Sequence, residues 1–186
     1  MEKDDTTETQ EGTALTEILS VAETPVSETS PEIQFDRETA PDSLIERLIL
    51  NICINIQNVH QSIQDPSAIG IKIILLFNAI LTLRSALGLQ RVEIIVTAIY
   101  LSRVWEINAN LITFDSLAKL MIGALIVAHR YCTDIYYPLS IWGEALGLKS
   151  STIEQFMDQA LEFLNYNVIV DPKEYQYALD QLTGQQ

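Results

Sequence analysis

Leu117–Tyr137, LAKLMIGALIVAHRYCTDIYY, is the stretch whose reading decides the fold. Leu117, Leu120, Met121, Ala124, Leu125, Val127 and Ala128 put apolar groups nearly all round a helical wheel. A helix apolar on most of its circumference belongs inside a bundle, wrapped by other helices. Just upstream, Thr113 and Ser116 offer side-chain oxygens for an N-cap, and Asp115 offers an early carboxylate. Gly123 and Ala124 are small enough to admit a neighbouring backbone. The apolar run stops at His129-Arg130, and Tyr131, Asp134 and Tyr136-Tyr137 follow. Two readings of that end stand open: it touches a partner, or it caps and solvates the helix.

The charge is unevenly spread around this stretch. Residues 1–42 hold twelve acids against Lys3 and Arg37, a balance of -10 in a chain whose total is -14, so the remainder carries -4. A pI near 4.3 and the lack of any Lys/Arg cluster argue against a nucleic-acid partner or an anionic membrane surface. Cys53 and Cys132 lie far apart, outside any zinc or redox spacing, which suits an intracellular setting, cytoplasmic or nuclear. The acidic start has no secretory h-region. Ile71–Leu83 and Val92–Leu101 are strongly apolar but shorter than the roughly 20 residues of a membrane span, and read as core helices.

Residues 1–40, rich in Glu, Thr and Ser, have the composition of a disordered acidic tail. Within it Leu15, Ile18, Leu19 and Val21 allow a transient amphipathic turn. Thr24-Pro25 and Ser30-Pro31 are minimal targets of a proline-directed kinase, though such dipeptides are common in any tail of this composition. The ordered domain is expected over 41–182, with 183–186 a disordered end. Helix one runs from a Ser43/Glu46 capping box to about Ile63, stopped by Asp65-Pro66. Further helices are expected at about Ile71–Leu87, Gln90–Glu106, the hub stretch to Tyr131, and a short one around Trp142. Two more cover Thr152–Leu164, capped by Ser150 or Ser151, and Asp171–Leu182. No segment alternates long enough for a strand, so the chain reads as all-α.

Chemistry is hard to find. His60 reads as an exposed helix residue and His129 as a satisfied imidazole at the core edge, neither with a nucleophile or acid arranged beside it. No glycine-rich phosphate loop, HExxH or metal-spaced carboxylate set occurs, and the seven glycines fall mostly at helix ends. The expectation is a non-enzyme without cofactor or metal. Tyr131, Tyr136, Tyr137, Trp142 and Tyr166 look like packing and interface anchors.

In order and spacing, YLSRV (Tyr100–Val104), LAKLMIGALIVAHRY, TDIYY (Thr133–Tyr137), Trp142 and LEFLNYNVIVDPKEY (Leu161–Tyr175) resemble the cyclin box. The nearest type is the single-box cyclins of the yeast phosphate pathway and the plant and protist P/U-type group. The resemblance covers Tyr100 to about Leu182 closely and Asp42 to Leu83 more loosely. It implies a five-helix cyclin box with flanking N- and C-terminal helices, acting as regulatory subunit of a cyclin-dependent protein kinase. The alternative is a cyclin-fold scaffold that binds a kinase or another protein without activating it. The family's kinase-facing lysine corresponds to Arg130, and its neighbouring phenylalanine to Tyr131. The glutamate position is Met157, with Asp158 beside it; the apolar positions are Leu161, Tyr166 and Val168. Ser102 stands where the family carries an aspartate, which leaves Arg103 to find another acceptor.

Overall fold

A computed structural model describes residues 37–60 and 65–184. The tail expectations over 1–36, the end of the first helix beyond His60 and residues 185–186 lie outside the described residues. The described residues are all-α: α1 (Asp42–His60), α2 (Pro66–Leu87), α3 (Arg91–Ile107), a 3-10 turn (Ala109–Leu111), α4 (Leu117–Cys132), α5 (Leu139–Leu146), α6 (Ser150–Phe163) and α7 (Pro172–Thr183). The only β-type pairing among them is an isolated bridge between Thr39 and Gln90. Beside it Ala40 N–H donates to Leu89 O at 3.1 Å and Arg91 N–H to Glu38 O at 2.7 Å, so fixed structure begins ahead of Pro41.

Local chemistry sets the helix ends, in places differently from expectation. Asp65-Pro66 opens α2 rather than merely closing α1. Asp65 accepts from Ser67 N–H at 3.0 Å, and Pro66 occupies a first-turn position where its missing N–H costs nothing. The helix therefore starts five residues before Ile71. Ser43 lies inside α1, whose first turn is closed by Leu44 and Ile45 N–H donating to Pro41 O. Ser150 and Ser151 likewise fall inside α6, with Lys149 at the cap position. Asp171 does cap α7, accepting from Lys173 N–H at 2.8 Å.

α4 is the hub. Every residue from Leu120 to His129 is buried. α6 and α3 cover it most extensively. The contact with α6 is close enough that a Cβ on Gly123 would lie 2.0 Å from Phe156 O, so only glycine fits there. Asp115, expected to help the first turn of α4, instead pairs with Lys72 of α2 at 2.6 Å.

α2 departs most from expectation. Read as a core helix, it buries only the side carrying Ile69, Leu76, Ile80, Leu83 and Leu87. Ile71, Ile74 and Leu75 are 59–63% exposed. At 22 residues it is the one described helix long and apolar enough to cross a membrane by length and composition. Its outer side stays open because no other described element packs there.

Gly123→Ala is expected to destabilise the protein by about 1–3 kcal/mol through overpacking against the Phe156 carbonyl. Urea unfolding measures this; a midpoint equal to that of the parent chain removes the close α4–α6 approach.

Candidate functional site

The last buried residue of α4 is polar, and its surroundings explain how that is tolerated. His129 Nδ1 meets Glu93 Oε1 of α3, and His129 Nε2 meets Ile135 O at 3.1 Å. Both ring nitrogens thus face an oxygen, and neither is left without a hydrogen-bond partner. Both side chains are within a few per cent of full burial. The other Glu93 oxygen accepts from Gln90 N–H at the start of α3. The Glu93 carboxylate thus ties the start of α3 to the end of α4, and the imidazole of His129 ties that end to the loop after it. Tyr137 stacks on the imidazole and Trp142 meets it edge-on, each with centroids 5.4 Å away.

This pair escaped sequence reasoning, which left His129 without a nearby acid. Glu93 and His129 stand 36 positions apart, and no spacing rule links residues on separate helices. The visible signal was a glutamate three residues after the α3 cap position, a capping-box arrangement. His60 also differs from expectation: it is half-buried, with Nε2 3.2 Å from Ile112 O.

Beyond the loop, Arg130 is exposed, its guanidinium 5.6 Å from the centroid of the Tyr136 ring. Ile135 and Tyr136 are themselves mostly exposed. This end of α4 therefore presents a cation on an aromatic face.

A second group of residues fixes the segment after α6. Asn165 and Tyr166 adopt left-handed backbone, with φ of 48° and 58°, a conformation that costs about 1–2 kcal/mol per non-glycine residue. Such strain persists where the surroundings over-determine it, and here they do. Arg103 donates to Asn167 O at 2.9 Å and Ile169 O at 2.7 Å. Tyr100 Oη donates to Val168 O at 2.8 Å, and Val170 N–H donates to Tyr131 Oη at 3.3 Å. Arg103 also grips Glu174 through two bonds of 2.5 and 2.8 Å. The hydrogen bond that Arg103 donates to Glu174 raises the Arg103 pKa further, and burial foremost raises that of Tyr100. Arg103 has thus found its acceptor in α7, the carboxylate that Ser102 cannot supply.

The expected interface residues divide accordingly. Tyr131 and Val168 belong to one hydrogen-bonded cluster. Tyr166 projects from it with 68% exposure, beside Ile169 at 74%. Arg130 adjoins Tyr131 in sequence but pairs with Tyr136. On α6, Asp158 is exposed and Leu161 half-buried, while Met157 points into the core at 8% exposure. No hydrogen bond or ion pair joins Asp158 to Arg130 among the described residues.

Neither thiol is set up for chemistry. Burial pushes Cys53 up to about 11, and burial together with the Glu93 charge pushes Cys132 higher still. Among the described residues no group of three or more His, Cys, Asp or Glu could hold a metal ion. No protein-family model matches the chain, and no curated protein matches it.

Two outcomes test this geometry. His129→Leu leaves the buried Glu93 carboxylate with only the Gln90 N–H as partner, an expected loss of about 3–5 kcal/mol in urea unfolding. Glu93→Gln in the same chain should recover part of it, and an unaltered His129→Leu midpoint rules the pair out. For Cys53, the folded pKa lies above the ordinary 9.0, so its contribution is fully present below pH 9.0 and is lost as pH rises through about 11. The unfolding midpoint should therefore fall between those values, and less steeply in Cys53→Ala. Equal slopes for the two proteins would contradict the burial of the thiol.

Proposed function

We propose that the chain is a non-catalytic regulatory subunit that binds and activates a cyclin-dependent protein kinase. The observation that carries this reading is the end of α4. The buried run Leu120–His129 delivers an exposed cation, Arg130, to the surface at its C-terminal end. Its neighbour Tyr131 is bonded to the clamped segment that displays Tyr166 and Ile169. Cation, aromatic and aliphatic side chains are thus held on rigid supports, and a preformed face binds with little loss of conformational entropy. A kinase whose active arrangement is only partly populated gains activity from any ligand that prefers that arrangement. On this reading α4 is the third cyclin-box helix, α6 the fifth, and Arg130, Tyr131, Asp158, Leu161, Tyr166 and Val168 form the kinase-binding face.

A second reading, a scaffold that binds a kinase without activating it, draws on one specific feature. The position where the family carries a kinase-facing glutamate is Met157, and that side chain is buried. The remaining carboxylate, Asp158, is one residue further along the helix and exposed. A kinase cation that needs an acid at the first position would go unanswered.

Affinity capture of a cyclin-dependent kinase by the full chain, followed by a kinase assay on the eluate, tests both readings. Binding with stimulation supports the regulatory subunit, binding without stimulation supports the scaffold, and capture of no kinase removes both. Arg130→Glu should weaken the complex by about 2–5 kcal/mol if the charge is buried and paired there. An unchanged affinity takes Arg130 out of the interface.

A further inference from the structure

A groove of about 310 Å³ runs between α1, α3 and α7, on elements other than those carrying Arg130, Asp158 and Leu161. Its base is apolar, with Ile52, Ala98 and Ala178. Its walls are polar in a particular pattern. Asn51 and Asn55 of α1 line one side, Tyr177 and Gln181 of α7 line another, and Trp105 and Glu106 of α3 lie between them. Asn51, Asn55, Glu106, Tyr177 and Gln181 are exposed, and Trp105 is half-buried. None of these six hydrogen-bonds through its side chain to another described residue.

The spacing selects an occupant. Residues four apart on a helix are separated by about 6 Å along its axis. An extended chain turns equivalent peptide units to the same side every two residues, about 6.6–6.8 Å apart. Two carboxamides at i and i+4 therefore fall nearly in register with alternate peptide units of an extended strand, each able to donate to a carbonyl and accept from an N–H. Tyr177 and Gln181 repeat that interval on the facing wall. A helical ligand has its backbone paired internally and leaves such amides unanswered. The charge selects the side chains: of the three charged groups that line the groove, Arg103 and Glu174 are paired with each other, and the Glu106 carboxylate is unpaired among the described residues. Trp105 offers an aromatic surface to a long aliphatic stem that ends in a cation.

The geometry points to a docking groove for an extended, lysine- or arginine-bearing peptide segment of another protein. Asn51, Asn55 and Gln181 pair with its backbone, Trp105 carries a side-chain stem, and Glu106 takes the positive charge.

Fluorescence anisotropy with the full chain at physiological salt tests it. The probe is a labelled octapeptide of alternating lysine and threonine. Two analogues accompany it: one with glutamate for lysine, and one with every second backbone amide N-methylated. The parent peptide should bind, and both analogues should bind at least about tenfold more weakly, since N-methylation keeps the charge but removes the backbone donors. Asn51→Ala with Asn55→Ala should cost about tenfold for the parent peptide and little for the N-methylated one. Glu106→Gln should weaken binding and flatten its salt dependence. All these positions are at the surface, and a circular-dichroism melt verifies that the variants stay folded. No binding by the parent peptide overturns the proposal. So does binding that ignores both N-methylation and the asparagine pair, because acidic surface alone would then account for it.

Discussion

Enclosing α4 on every side is the constraint from which the other features follow. Ten consecutive residues, Leu120 to His129, are out of water, so each neighbour must fit whatever that position presents. Gly123 lets the backbone of α6 approach, and Ala124 and Ala128 keep the helix narrow. α3 supplies a nearly continuous apolar surface from Val92 to Leu101. Close packing of this kind leaves little freedom in how the helices sit, because interiors tolerate neither voids nor overlap. The one polar member of the run, His129, must then be satisfied internally, and an unpaired partner in that position would be far costlier than the pair itself. Glu93 meets that need and through Gln90 also fixes the start of α3, while His129 itself holds the loop leading to α5 through Ile135 O.

The same logic governs the exposed edge. The chain turns after α6 through two left-handed non-glycine residues, a conformation it would not hold unaided. Arg103, Tyr100 and Tyr131 bind successive backbone groups of the following segment, using planar, multiply donating or stiff aromatic side chains. Such groups lose little entropy on forming several bonds. What reaches solvent is Tyr166 and Ile169 on that segment, and Arg130 near the end of α4 with Tyr136 on the loop after it.

α2 illustrates a limit of compositional reading. A helix apolar all round is ordinarily enclosed, and this one is not among the described residues. Burial depends on how many neighbours a helix acquires, a property of the assembly rather than of the helix. The groove among α1, α3 and α7 shows the converse. Asn51, Asn55, Trp105 and Gln181 are unremarkable on their own helices and become a pattern only where three helices converge.

Much of the architecture was legible in the residues alone. Helical periodicity, Gly88, Gly147, and the Asp-Pro pairs at 65–66 and 171–172 mark helices and their ends, because these are short-range effects of backbone geometry and local hydrogen bonding. The all-round apolar face of Leu117–Ala128 named the hub, since only a central position can bury it. The cap assignments at Ser43, Ser150 and Ser151 differ from the structure by a residue or two because helix bounds are soft at that scale and backbone carbonyls, Pro41 O and Lys149 O, take the first-turn N–H groups there. The contacts that define the candidate sites were beyond reach of the sequence. Glu93 with His129, Arg103 with Glu174 and with the 167–169 carbonyls, and the Asn51/Gln181 groove all join residues distant in the chain. Local sequence determined which helices form and where they stop. Tertiary packing alone decided which polar groups meet, because a buried charge or a strained turn is stable only beside a partner that folding brings from elsewhere.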